Sequence, residues 1–143
     1  MRCRSLETGK SLPDFKLKDP LEFRELKEES LPTSFERGVY YRGILDFPAI
    51  DSVIADVGMF QFTVSENHAI EGVQTLKEVC KIFLTNKTNA EEPIPKYYFV
   101  VPSYRFKKFK KQKIISVDPP QIEQYVLELK FGIQTEFRAS AHS

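Results

Sequence analysis

Tyr97 to Val101 reads Tyr-Tyr-Phe-Val-Val, five consecutive apolar residues of high strand propensity stopped by Pro102. A run without polar alternation has no face to give to water, so it belongs in the middle of a sheet covered on both sides. That requirement shapes what precedes it. Ala69, Val73, Leu76, Cys80 and Phe83 fall at three- and four-residue steps with Glu71, Gln74, Lys77, Glu78 and Lys81 opposite, which predicts an amphipathic helix capped by Ser65 or Asn67. Residues 86–96 are a polar, proline-containing link from that helix to the run. A strand, a helix and then a central strand call for a crossover, with the strands on either side of the helix parallel.

The strand before the helix belongs to the stretch Phe47 to His68. Two apolar runs, Phe47 to Ala55 and Met59 to Val64, flank the short connection Asp56-Val57-Gly58, the pattern of a hairpin. Folding about that connection pairs Asp51 with roughly residue 62 and sets it beside Gln61 and Thr63. Alternation puts Phe60, Phe62 and Val64 on one face and Met59, Gln61 and Thr63 on the other. A carboxylate, an amide and a hydroxyl are thus expected to converge in mid-sheet. Gly38 to Leu45, rich in β-formers, reads as a strand ahead of this hairpin, giving a three-strand antiparallel meander.

These residues carry a resemblance. An acid on one hairpin strand followed by a three-residue motif on the next resembles the PD-(D/E)xK nuclease core, with Pro48 and Asp51 near its first motif and Gln61-Phe62-Thr63 where (D/E)xK would stand. More narrowly, FPAIDSVI, MFQFTVSENHAI, YYFVVP, FKKFKKQK and QYVLEL resemble the C-terminal region of Crinkler and retrotransposon-hot-spot-type proteins, over about Gly38 to Phe131. The resemblance implies an α/β (α+β) domain with a restriction-endonuclease-like αβββαβ core. If the domain is such an enzyme, Asp51 would bind Mg2+, the Gln61 oxygen would serve as a neutral ligand in place of the second carboxylate, and His68 would act as general base; otherwise Asp51, Gln61 and Thr63 hydrogen-bond one another and His68 is a solvated or capping residue. The lysine that would steady the attacking water is replaced by Thr63, which has no positive charge to offer a developing anion.

With 143 residues, 41% of them hydrophobic, the chain is expected to fold as one domain, 19–133, between a flexible leader, 1–18, and a disordered tail, 134–143. Within the domain, Asp19-Pro20 ahead of LEFRELKEES predicts a short helix to about Ser30. Its Glu22, Glu25, Glu28 and Glu29 read as a solvated acidic face, or as the source of a third metal ligand. Cys3 and Cys80 make no disulfide framework, and Cys80 lies in the buried stripe of the predicted helix. No run approaches the roughly 20 apolar residues of a membrane span, and the start MRCRSLETGK has no apolar signal-peptide core.

Net charge is only +1, so any attraction for nucleic acid must be local. It is local in SYRFKKFKKQK, where Arg105, Lys107, Lys108, Lys110, Lys111 and Lys113 surround Phe106 and Phe109. A short helix pinned by the two phenylalanines would display these cations to a phosphate backbone, serve as a nuclear import signal, or stand simply as a solvated amphipathic helix. Beyond Asp118-Pro119-Pro120, the segment QIEQYVLELKFGI fits both periods, and β-propensity favours a strand from about Gln124 at a further edge of the sheet.

Two functions of different class follow. One is a metal-dependent DNA endonuclease using Asp51 and Gln61. The other is a catalytically weak or silent module of the same fold that binds DNA, RNA or a host protein in the nucleus or cytoplasm. Replacement of an acid by Gln61 and of a lysine by Thr63 tilts toward the second. No Gly-rich phosphate loop, zinc-spaced Cys/His set or Gly-x-Ser-x-Gly elbow points to other chemistry.

Overall fold

A computed structural model describes residues 1–85 and 94–130. Its frame is one eight-stranded mixed sheet in the order β2-β1-β8-β7-β6-β5-β4-β3. The strands are β1 (Cys3–Ser5), β2 (Ser11–Leu12), β3 (Glu22–Leu26), β4 (Val39–Gly43), β5 (Ser52–Ile54), β6 (Gly58–Phe62), β7 (Lys96–Pro102) and β8 (Glu123–Leu129). Helix α1 (Val73–Thr85) joins β6 to β7, and the short α2 (Ser103–Phe106) follows β7 directly. Strands and few helices make this an α+β domain. Among the described residues no helix is long and apolar enough to cross a membrane.

The apolar run occupies the expected place. In β7, Tyr97, Phe99 and Val101 pack into one buried cluster while Tyr98 and Val100 pack into the other, on the opposite face. The strand runs parallel to β6 on one side and to β8 on the other. Strands β4, β5 and β6 form the antiparallel meander, and α1 carries the chain across to the parallel β7. Leu76, Val79, Cys80 and Phe83 of α1 cover the first face. On the other face Phe15 packs against Tyr98 and Phe60, with ring centroids 5.2 and 6.2 Å apart.

That last contact corrects the expected leader. Residues 3–5 pair with β8 and with β2, Cys3 is buried, and 13–18 supply part of the second apolar layer. The expected helix over Asp19 to Ser30 is also absent. Glu22–Leu26 is instead an edge strand parallel to β4, with a single 3-10 turn at Glu28–Ser30. Leu26 is fully buried and Phe23 meets the Tyr40 ring edge-on, so pairing and burial override local helix propensity.

Helix α1 starts later than its periodicity suggests. The Ile70 N–H donates to the Lys113 carbonyl and its own carbonyl accepts from the Ile115 N–H, drawing residue 70 into a parallel bridge with Ile114. The chain then turns at Gly72, φ +68°, where a Cβ would stand 2.4 Å from that of Pro48. Neither Ser65 nor Asn67 therefore caps the helix. Strand β8 is found where strand propensity put it, yet it lies between β1 and β7 rather than at an edge. The segment 86–93 and the tail from Gln134 lie outside the described residues.

Candidate functional site

The hairpin register differs by one residue from the expected one. Ser52 partners Phe60 and Val53 partners Met59, so regular continuation would bring Asp51 opposite Gln61 rather than residue 62. The ladder does not continue regularly. Phe60, already the partner of Ser52, accepts from the Asp51 N–H at 2.8 Å, and the Phe62 N–H donates to Asp51 Oδ2 at 2.7 Å. Two residues facing one is the mark of a β-bulge, and here a carboxylate completes the ladder where a carbonyl would ordinarily serve. The irregularity begins upstream, where Leu45, Asp46 and Ala49 all have positive φ, so the run from Phe47 does not enter the strand until Ser52.

Burial raises the Asp51 carboxyl above the ordinary aspartate range, opposed by the Phe62 N–H and by the field of His68. The Asp51 charge in turn adds to the larger effect of burial in raising the Tyr97 phenol, whose hydroxyl donates to the Ala49 carbonyl. Asp51 is thus within the field of His68 and itself acts on Tyr97, on the α1 side of the sheet. Thr63 is buried beside them, its Oγ1 3.3 Å from His68 Nδ1 and accepting from the Ser65 N–H at 3.1 Å. The His68 ring meets Phe99 edge-on, and its backbone N–H donates to Gln112 Oε1 at 2.5 Å. Gln61, partly exposed on β6, is the ladder partner of Phe99.

A hard divalent ion such as Mg2+ takes six oxygens and leans on one or two carboxylates among them. Asp51 brings one carboxylate, and one of its oxygens already holds Phe62. Among the described residues no three His, Cys, Asp or Glu side chains gather. The acids of residues 22–29 are committed elsewhere in part: Glu22 bonds Arg24, and Glu28 accepts from Thr75 Oγ1 at 2.5 Å. The donor set does not make a dedicated metal centre. Asp51 bonds the entry of β5 to the end of β6, and Thr63 and His68 tie the 63–68 loop to that same end.

The basic segment is built differently from the expected helix. Only Ser103–Phe106 is α-helical, followed by a turn at residues 107–108 and an irregular stretch to Lys113. Phe106 and Phe109 are buried as the pinning residues, Phe109 against Phe99 with centroids 5.1 Å apart. Sequence reasoning missed what clamps the turn from outside. Arg4 Nη2 donates to the carbonyls of Phe106 at 2.5 Å and Phe109 at 3.0 Å, and the guanidinium carbons of Arg2 and Arg4 lie 4.7 and 5.4 Å from the Phe106 centroid. Arg2 also grips the buried Glu128 with two bonds, 2.9 and 2.5 Å long. Below, Gln124 donates to the Gln112 carbonyl at 2.9 Å and accepts from the Gln112 N–H at 2.8 Å.

This leaves the six cations in unequal positions. Arg105 donates to the Val64 carbonyl at 2.9 Å and lies 3.8 Å from Glu66, and Lys111 bonds Glu7 at 2.6 Å. Lys107, Lys108, Lys110 and Lys113 are exposed. The two thiols take no part in either region. Burial pushes Cys3 up to about 11 and Cys80 up to about 12, so both are packing residues. Comparison of the chain with protein-family models, with curated proteins and with solved structures finds no match.

Proposed function

We propose that this chain is a catalytically silent binding domain that holds the backbone of DNA or RNA on its basic turn. The observation that carries the reading is the clamp. Phe106 and Phe109 anchor the turn from below and Arg4 bonds its carbonyls, so Lys107, Lys108 and Lys110 project from a braced backbone. A preorganised cation cluster loses little freedom when phosphates arrive, and its attraction is local despite the near-neutral chain.

The resemblance to Crinkler-type C-terminal regions supplies a setting, an effector domain acting in the nucleus, with a restriction-endonuclease-like ancestry. In support, the order β4-β5-β6-α1-β7 matches the βββαβ portion of that core, while β3 stands where its first helix would be. On this reading Asp51, Gln61 and Thr63 are a remnant kept for structure. One carboxylate and no cation at Thr63 leave little with which to activate water or to stabilise a pentacoordinate phosphate.

The test is to incubate the protein with labelled DNA and RNA in Mg2+ or Mn2+, reading binding by anisotropy and cleavage on gels. Salt-sensitive binding without divalent-dependent cleavage is expected. Cleavage that disappears in Asp51→Ala would establish the endonuclease alternative instead. Absence of binding even at low salt would turn attention to a protein partner.

A further inference from the structure

The helical turn of the basic segment runs on beyond α2. The Lys107 backbone is in the right-handed helical region, φ −65° and ψ −36°, and the Phe109 N–H donates to the Arg105 carbonyl at 3.0 Å. In such a turn residues three and four apart share a side. Phe106 and Phe109 share the buried side. Tyr104, Lys107 and Lys108 share the outer one, and Tyr104 is 71% exposed. The Arg105 guanidinium carbon lies 5.3 Å from the centre of the Tyr104 ring, and Arg105 is itself held by Val64 and Glu66. A large aromatic ring is thus braced by a fixed cation, open to solvent, and one turn from two exposed lysines. Among the described residues it belongs to neither buried cluster.

We infer that the partner is single-stranded nucleic acid, one base stacking on Tyr104 while neighbouring phosphates rest on Lys107 and Lys108. The inference rests on the nucleic-acid reading above and narrows it. Every base offers a π-face to an aromatic side chain, so such contact is tolerant of sequence, and the Arg105 cation adds to the attraction. In a duplex the base faces are stacked on each other, and Tyr104 would have only sugar and phosphate to touch. Single strands should therefore gain from Tyr104 and duplexes should not.

The experiment compares the wild type, Tyr104→Ala, Tyr104→Phe and the double variant Lys107→Gln/Lys108→Gln on a short labelled single strand and its duplex at low salt. Tyr104→Ala should weaken single-strand binding about tenfold, within the range of one base–aromatic stack. It should leave duplex binding and the salt dependence unchanged, and Tyr104→Phe should retain the affinity. The lysine variant should weaken both substrates. If Tyr104→Ala leaves single-strand binding intact while the lysine variant weakens it, the stacking inference fails and the nucleic-acid reading stands. Equal losses on strand and duplex would likewise overturn stacking. A wild type that binds neither substrate defeats both.

Discussion

Asp51 Oδ2 accepts a hydrogen bond from the Phe62 N–H at 2.7 Å, tying β5 to β6 just beyond the last regular pair of the hairpin, Ser52 with Phe60. This gives the residue a structural task that does not require a metal. Asp51→Ala should cost about 1–3 kcal/mol in urea unfolding, because a part-buried N–H loses its acceptor. Asp51→Asn keeps an acceptor oxygen and should lose less. Neither change should alter nucleic-acid affinity measured on the folded protein.

The same residue sets a pH dependence. Burial raises the folded-state carboxyl above its unfolded value, so the folded state holds the proton more tightly. Stability from this group is therefore lost as pH climbs from the ordinary aspartate range through the raised folded value, and is constant above it. Unfolding titrations of wild type and Asp51→Asn should show the variant gaining relative stability across that window. A difference that runs the other way would mean that the Phe62 bond and the His68 field outweigh burial.

Glu128 has the opposite sign. Its side chain is 3% exposed and its two bonds from Arg2 hold it below the usual carboxylate range. Its contribution is present above the unfolded glutamate value and is lost as pH falls through the lowered folded one. Arg2→Gln should lower the thermal midpoint by a few degrees at neutral pH, with the deficit shrinking in acid. Protection of the 103–109 amides from hydrogen exchange should fall with it, since Arg2 also covers Phe106.

Gly58 is a purely steric case. Its φ is +146° and a Cβ there would stand 2.4 Å from the Lys96 carbonyl oxygen on the neighbouring strand. Backbone on both sides leaves nothing flexible to move aside. Gly58→Ala should destabilise by about 1–3 kcal/mol, the scale of a strained backbone position, as read by the chemical denaturation midpoint.

These anchors mark the boundary of what sequence could show. The Tyr97 to Val101 run was legible because it lacks any polar alternation and the α1 stripe because it keeps a helical period, whereas the hairpin was legible in its turn at Asp56 to Gly58 but not in its register or in its late start at Ser52. Strands β1 and β2 were not, since three and two residues carry no period, and Arg4 and Ser11 pass for surface. Strand β3 was hidden by Asp19-Pro20 and by glutamates that favour helix locally, while its burial is supplied by β4. In the site, the identity of Asp51 stood out, but the bulge that aims it depends on positive φ at Ala49 and its neighbours, which no turn dipeptide announces. The Arg4 clamp joins residues 102 apart, a relation invisible to any window. The basic cluster itself was plain; that Lys111 and Arg105 are engaged by Glu7 and by Val64 and Glu66 was not.

The central claim is that exposed lysines on a clamped turn bind a phosphate backbone. Its most direct test is the slope of log affinity against log salt for the wild type and for the triple variant Lys107→Gln/Lys108→Gln/Lys110→Gln. Because these side chains are exposed, the variant should fold as the wild type does. The wild-type slope should be clearly negative, and the variant's should be flatter by about 2, as expected for losing two to three phosphate contacts. Slopes that coincide, or a wild type without affinity at low salt, would contradict the account.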